Sequence, residues 1–117
     1  MAYALMILEP PGQRKSRTEE EGRALYDQMV RFGEGLKERG LLMLAQSLKS
    51  DGEGVRVKMQ GGQASIVDGP FAESKEMIGG FFVLTCEDRA QAIAIAQSCP
   101  AAQWATVEVR ELGPCFS

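Results

Sequence analysis

The chain has 117 residues, of which 44% are hydrophobic and 25% are charged, with a formal net charge of −3 and no histidine. This length predicts one domain over residues 1–117, and the absence of a basic field argues against nucleic acid or an anionic membrane as a partner. Three cysteines without a CxxC spacing predict a cytoplasmic protein rather than a disulfide framework. The apolar stretch at 2–8 is too short for a signal peptide or a membrane span.

The first half of the chain predicts a strand, a long helix and a second strand. Residues 2–8 are apolar on both faces of a strand. Thr18 and Glu21 have the spacing of a capping box, and Gly40 is suited to end the helix in the left-handed conformation. The next strand is predicted at 41–48.

The second half predicts a hairpin followed by a strand, a helix and a strand. Gly61 and Gly62 accept the positive φ of a tight hairpin turn, and Pro100 ends the helix. The predicted bounds are strands at 55–59, 64–67 and 80–86, a helix at 87–98, and a strand at 104–110. The inward side of that helix is predicted at Ala90, Ile93 and Ala94, with Ala96 or Gln97.

The element order predicts an α+β fold with a ferredoxin-like antiparallel sheet and both helices on one face. Two strands of that sheet, at 2–8 and 80–86, are apolar on both sides, yet two helices cover one side alone. An uncovered apolar sheet face favours burial by a partner. We therefore expect a homodimer in which two sheets close face to face, leaving a cleft between protomers.

The connection at 68–76, Asp-Gly-Pro-Phe-Ala-Glu-Ser-Lys-Glu, has the most specific pattern in the chain. Its Asp-Gly-Pro start predicts a turn, and the following phenylalanine is expected to anchor the loop in the core. Carboxylates held beside an ammonium group acquire pKa values suited to proton transfer. The alternative is a rigid loop whose charges face solvent. The candidate catalytic residues are Asp68, Glu73 and Glu76, and the candidate ligand-binding residues are Lys75 and Phe71.

The last predicted strand carries a second candidate set. Trp104, Glu108 and Arg110 alternate onto one face, where the Arg110 guanidinium is able to clamp a carboxylate or phosphate. These three residues are predicted to bind a small anionic ligand in the dimer cleft. The alternatives are an intersubunit ion pair, in which Glu108 meets Arg110 or a charge of the partner chain, and an interface or core role for Trp104.

The segment from Asp68 to Glu76, with Gly79-Gly80-Phe81 behind it, resembles the signature of the DGPF branch of the YCII-related family. The resemblance extends over nearly the whole chain. It implies a dimeric α+β barrel and a bacterial cytoplasmic protein. Many members of this branch are uncharacterised and are often encoded next to extracytoplasmic-function sigma factors.

The resemblance also argues against one type of catalysis in this chain. The better-understood YCII branch uses a histidine on the first helix with an aspartate before the proline that follows the second helix. This chain has no histidine, and Cys99 precedes Pro100. The lyase or dehalogenase chemistry of that dyad is therefore not expected here.

Two functional interpretations remain open from the sequence. The first is a cofactor-independent enzyme in which carboxylates move protons while Lys75 or Arg110 orients an anionic substrate. The second is a ligand-binding or regulatory dimer without turnover, linked to sigma-factor-associated transcription control. No nucleotide-binding or zinc-ligand pattern is present in the sequence, so neither a cofactor nor a metal is predicted.

Overall fold

Six strands and two α-helices lie within residues 1–116, the part of the chain that the computed structural model describes. The longest element is a helix that follows the first strand. The strands are β1 (Ala2–Glu9), β2 (Leu42–Ser47), β3 (Val55–Gln60), β4 (Gln63–Asp68), β5 (Met77–Thr85) and β6 (Thr106–Glu111), and the helices are α1 (Glu19–Glu38) and α2 (Arg89–Ser98).

Four strands form one antiparallel sheet in the order β2-β5-β1-β6, and β3 and β4 pair with each other in a separate two-stranded sheet. Both helices pack on the four-stranded sheet. The predicted α+β, ferredoxin-like fold is therefore confirmed. The hairpin β3–β4 is inserted between the second and third strands of this sheet, and Gly61 and Gly62 at its turn have φ values of 56° and 81°.

The ends of α1 follow the sequence pattern. The Thr18 hydroxyl accepts a hydrogen bond from the Glu21 amide at 3.1 Å, and the Thr18 amide donates to Glu21 Oε1 at 2.8 Å. The hydrogen bond that the Glu21 carboxyl accepts from the Thr18 amide, followed by the Thr18 side chain, lowers the pKa of Glu21, because both favour its charged form. Gly40 has a φ of 71°, so both the capping box and the left-handed glycine are confirmed.

The core lies between the sheet and the two helices. Tyr3, Leu5 and Ile7 alternate toward it from β1, and Phe82 and Leu84 do so from β5. The predicted inward side of α2 was partly wrong. Ala96 is buried, but the other buried residues of α2 are Ala92 and Ile95, whereas Ala90 and Ala94 are exposed. Alanine and isoleucine follow each other along α2, so no one face is clearly more apolar and tertiary packing decides which side is inward.

The last strand begins two residues later than predicted. Residues Pro100–Gln103 form a 3-10 turn that ends at Trp104, whose φ of −130° and ψ of −1° are not those of a strand. The alternation that placed Trp104 on the face of Glu108 and Arg110 therefore does not apply. Trp104 instead packs against the buried core on the helix side of the sheet.

The sheet face opposite the helices is apolar and is covered by neither helix. Met6 and Leu8 of β1, with Phe81 and Val83 of β5, are half-buried there, and Ile78 is 48% exposed. The smallest extent of the molecule is 19 Å, which accommodates one sheet and one helix layer. We call this surface the open face. Within residues 1–116, no helix is long and apolar enough to cross a membrane.

Candidate functional site: a groove under the first helix

A groove of about 660 Å³ lies between α1 and the sheet. Its volume falls within the roughly 300–1,000 Å³ typical of small-molecule sites. The apolar part of its wall is formed by Ile7, Leu25, Met29, Phe82 and Trp104. Polar and charged side chains line it as well, among them Arg17, Tyr26 and Lys37. We call this cavity the α1 groove.

The α1 groove exists because small residues meet where α1 crosses the sheet. Gly22 and Gly33 of α1 line it, as do Ala45 of β2 and Gly80 of β5. Among the described residues of α1, Gly33 and Leu36 are fully buried, and both lie in its second half. The first half of α1 therefore has no buried residue, and the groove runs beneath the helix from Glu19 to Lys37.

One end of the α1 groove is formed by a buried ion pair. Glu9, at the end of β1, is 6% exposed and accepts two hydrogen bonds from Arg14: Nε to Oε1 at 2.9 Å and Nη2 to Oε2 at 2.7 Å. Arg14 also donates to the Leu48 carbonyl at 2.8 Å and to the Gly79 carbonyl at 3.1 Å. This arrangement, which we call the clamp, connects β1, the end of β2 and the start of β5.

The clamp explains why glycine stands at position 79. A Cβ built there would lie 1.4 Å from Glu9 Oε2, so no other side chain fits beside the carboxylate. The pairing of β1 with β5 shifts register between Ile7 and Leu8, next to this contact. Gly79 thus allows the buried Glu9 carboxylate to approach the backbone of β5. Such a close approach is a common reason for glycine within a strand.

Arg14 is not available as a ligand anchor, because its guanidinium is already bonded to a carboxylate and two carbonyls. Arg17 is different. It lines the α1 groove and is half-buried, and its guanidinium makes no hydrogen bond or ion pair within 4.0 Å among the described residues. Its charge acts on Glu21 at longer range and contributes to the lowered pKa of that carboxyl. Glu19, which also lines the groove, is paired with Arg23 at 2.8 Å. Arg17 is therefore the cation best placed to meet an anionic group.

The Asp-Gly-Pro-Phe segment lies outside the α1 groove, at the base of the hairpin. Phe71 was expected to anchor in the core, and this was wrong: it is half-buried and lies beneath the Arg56 guanidinium, 3.9 Å from ring centroid to Cζ. Arg56 also donates to Ser74 Oγ at 2.9 Å. The aromatic ring stacks on a cation of β3 because the loop returns beside the start of that strand.

The predicted charged residues of this loop do not converge on one site in the chain. Asp68, Glu73 and Lys75 are exposed and line neither the α1 groove nor a second, shallower depression. Glu76 and Trp104 both line that second depression, and Trp104 also lines the α1 groove. The catalytic and ligand-binding roles assigned to these residues stay predictions.

Glu108 and Arg110 pair with each other on β6. Arg110 Nε donates to Glu108 Oε2 at 2.7 Å. The Glu108 side chain is 37% exposed and the Arg110 side chain is 71% exposed. This is the Glu108–Arg110 ion pair considered as the alternative for these residues, here within one chain. The pair does not line the α1 groove.

The sequence reasoning missed Glu9, Arg14 and Arg17. A pattern for Glu9 was present, because it continues the inward alternation of Tyr3, Leu5 and Ile7 by one step. A carboxylate at an inward strand position needs a charged partner. No pattern in the sequence indicated that Arg14 is that partner, or that the Arg17 guanidinium makes no ion pair within 4.0 Å among the described residues.

A buried thiol beside the groove has a shifted pKa. Burial raises the pKa of the Cys99 thiol, whose Sγ lies 4.0 Å from Met29 Sδ. Such a thiol stays protonated and unreactive at neutral pH. Within residues 1–116, no three histidine, cysteine or acidic side chains are grouped so that they could hold a metal ion.

Comparison with known proteins places this geometry in a family. The model of the YCII-related domain matches residues 1–115. The chain belongs to the YCII-related family. No curated protein matches the chain.

A solved structure of similar fold is 5-chloro-2-hydroxyhydroquinone dehydrochlorinase from Burkholderia phenoliruptrix, in complex with 2,5-dihydroxybenzoquinone. The two share 16% sequence identity with a TM-score of 0.55, and the alignment covers 97% of this chain and 94% of that one. At this identity the likeness shows the fold. In this YCII-related chain, the position before Pro100 is the buried Cys99, and burial raises the pKa of its thiol.

Proposed function

We propose that this YCII-related protein binds a small, mainly apolar anion in the α1 groove. The observation that carries the proposal is the groove itself: about 660 Å³ of space with an apolar wall and an arginine, Arg17, whose guanidinium makes no hydrogen bond and no ion pair within 4.0 Å among residues 1–116. Ligand sites combine a largely apolar wall with a few polar groups that fix orientation. The α1 groove has this composition.

The anionic part of the ligand is assigned to Arg17. A guanidinium presents several donors in one plane, and hydrogen bonds to a charged group contribute about 1.5–3 kcal/mol each. The start of α1 offers no alternative, because its capping box already occupies backbone amides and Glu19, Glu20 and Glu21 bring negative charge there. Lys37 lines the groove further along α1 and is a second, weaker contact in this proposal.

The apolar part of the ligand is assigned to the wall made by Leu25, Met29, Phe82 and Ile7. Flat aromatic rings suit such a wall, because they bury a large area with little loss of conformational freedom. The dehydrochlorinase of similar fold was solved with 2,5-dihydroxybenzoquinone, a small oxygenated ring. That compound is therefore a rational first probe for this chain.

Binding, rather than turnover, is what the groove supports. The predicted catalytic residues Asp68, Glu73 and Glu76 do not line it, and the buried carboxylate of Glu9 is held by two hydrogen bonds from Arg14. A ligand-binding protein needs no proton donor at this site. The regulatory role that the family resemblance implies for this branch, next to a sigma factor, is compatible with binding alone.

Isothermal titration calorimetry with 2,5-dihydroxybenzoquinone and with 8-anilinonaphthalene-1-sulfonate tests the proposal. We expect saturable binding of at least one probe, and we expect Arg17→Gln to weaken it about tenfold, the equivalent of about 1.4 kcal/mol. Arg31→Gln is the matched control, because Arg31 is exposed on α1 and does not line the groove. No saturable binding of either probe, or equal weakening by both substitutions, would contradict the proposal.

A further inference from the structure

The second, shallower depression lies where β1 ends and β6 begins, and its volume is about 540 Å³. This volume also falls within the roughly 300–1,000 Å³ typical of small-molecule sites. Trp104 is the one described residue that lines both this depression and the α1 groove. We call this second cavity the β6 depression, and its apolar wall is formed by Leu8, Pro10, Ala102 and Ala105.

The charge that lines the β6 depression is negative. Among its described lining residues, Glu76 carries a carboxylate and none is a lysine or an arginine. The Glu76 carboxylate makes no ion pair within 4.0 Å among residues 1–116. A cavity lined by charge of one sign concentrates ligands of the opposite sign. The β6 depression therefore favours a cation, whereas the α1 groove has been assigned an anion.

Gln13 supplies a hydrogen-bond acceptor that nothing in the chain uses. Its Nε2 donates to the Trp104 carbonyl at 2.7 Å, and this bond fixes the orientation of the amide, since a reversed amide would place two oxygens together. Its Oε1 is buried and has no hydrogen-bond partner among the described residues. A buried acceptor without a donor is costly, and an unoccupied binding site is one explanation for it. Because Gln13 lines the β6 depression, a ligand with an N–H group is able to supply the donor.

Trp104 adds an aromatic ring to this wall and is held in place by its own backbone. Its amide donates to the Ala101 carbonyl at 3.1 Å, and its carbonyl accepts the bond from Gln13. Its side chain is half-buried and packs against the core. A cation near the face of an indole is attracted by the negative potential of the ring, and tryptophan is the strongest aromatic partner in such contacts.

We propose that the β6 depression binds a small primary ammonium ion that carries an apolar group. A primary ammonium has three N–H donors, so it is able to bond the Glu76 carboxylate and Gln13 Oε1 together. Trp104 and the apolar wall then receive the remainder of the ligand. This inference does not depend on the ligand proposed for the α1 groove, because the two sites use different side chains apart from Trp104.

The intrinsic fluorescence of Trp104, the only tryptophan in the sequence, measures binding of three matched probes. Benzylammonium has both the charge and the N–H donors, benzyltrimethylammonium keeps the charge without a donor, and benzyl alcohol keeps a donor without the charge. We expect a saturable change with benzylammonium, and affinities about tenfold weaker for each of the other two. No saturable change with benzylammonium, or equal affinity for benzyl alcohol or benzyltrimethylammonium, would overturn the proposal.

Three substitutions of a carboxylate by its amide then locate the bound cation. Glu76→Gln is expected to weaken benzylammonium binding about tenfold, because it removes the charge and keeps the shape of the side chain. Glu73→Gln, in the same loop but lining neither cavity, and Glu34→Gln, which lines the α1 groove, are expected to bind as the wild-type chain does. All three side chains are exposed, so the variants are expected to fold, which circular dichroism verifies. Wild-type affinity in Glu76→Gln, or an equal loss in either control, would overturn the proposal.

Discussion

Removing the arginine of the clamp is the most informative test of how the groove is built. Arg14→Met keeps much of the side chain's length and apolar volume but takes away the charge and every hydrogen bond to Glu9, Leu48 and Gly79. The Glu9 carboxylate is then left at a side-chain exposure of 8% without a charged partner. We expect the free energy of unfolding to fall, because a buried charge without compensation is costly.

The expected magnitude follows from the burial of the two side chains. Breaking a buried ion pair by removing one partner costs about 3–5 kcal/mol. The Arg14 side chain is 32% exposed, so water partly solvates the carboxylate that remains, and we expect the lower limit, about 3 kcal/mol. With a urea m-value of about 1.5 kcal/mol/M, the midpoint of unfolding falls by about 2 M.

Urea denaturation monitored by circular dichroism at one fixed protein concentration measures this change. Arg23→Met is the matched control, because Arg23 pairs with Glu19 on the surface, where both side chains are at least 76% exposed. Such a pair contributes about 0–1 kcal/mol. The double variant Glu9→Met/Arg14→Met is expected to be more stable than Arg14→Met, since it removes the unpaired carboxylate.

Two results would refute this reasoning. If Arg14→Met lowers stability no more than Arg23→Met does, the ion pair is not buried in the way the structure describes. If the double variant is less stable than Arg14→Met, the cost lies in lost packing or lost carbonyl hydrogen bonds rather than in the unpaired carboxylate.

Three further predictions concern single residues. Gly79→Ala is expected to lower the urea midpoint about as much as Arg14→Met, because its Cβ would occupy the position of a carboxylate oxygen; an unchanged midpoint would refute this contact. Burial, with Glu111 nearby, raises the pKa of Tyr3, so the unfolded chain ionises first and stability is expected to fall as the pH rises above about 10. Urea unfolding between pH 8.5 and 11 checks this, and Tyr3→Phe is expected to weaken the dependence. Ellman's reagent is expected to label the exposed Cys115 in the native protein and the buried Cys86 and Cys99 after denaturation; rapid native labelling of either buried thiol would contradict their burial.

The fold could be predicted from the sequence because its local patterns agree with one another. The capping box at Thr18, the glycine at 40 and the hairpin glycines all fix backbone geometry through their own chemistry, and each is found where it was expected. The inward face of α2 could not be predicted, since alanine and isoleucine give it almost no apolar asymmetry.

The site could be predicted only in part, because it depends on contacts between distant segments. Glu9 meets Arg14 and Gly79, and nothing in the spacing of these residues shows that they touch. The charged loop at 68–76 is conspicuous by its composition, yet Gly69 and Phe71 make contacts at the base of the hairpin β3–β4. A conspicuous motif identified an important segment without indicating what it contacts.

The assignment of the α1 groove as a ligand site is tested most directly by filling the groove with a larger side chain. A Cβ at Gly22 meets no atom within 4 Å, and this position lines the groove, so Gly22→Leu is expected to occupy the cavity without disturbing α1. Gly35→Leu is the matched control, being a helical glycine with equal room that does not line the groove. Both substitutions replace a glycine within α1 by a better helix-forming residue, which stabilises the helix by about 1 kcal/mol.

The decisive measurement is the affinity of these two variants for 2,5-dihydroxybenzoquinone and for 8-anilinonaphthalene-1-sulfonate, each determined by calorimetry. We predict that Gly22→Leu loses at least about tenfold in affinity, or about 1.4 kcal/mol, whereas Gly35→Leu binds as the wild-type protein does. Wild-type affinity in Gly22→Leu, or an equal loss in both variants, would contradict the assignment of the groove as the ligand site.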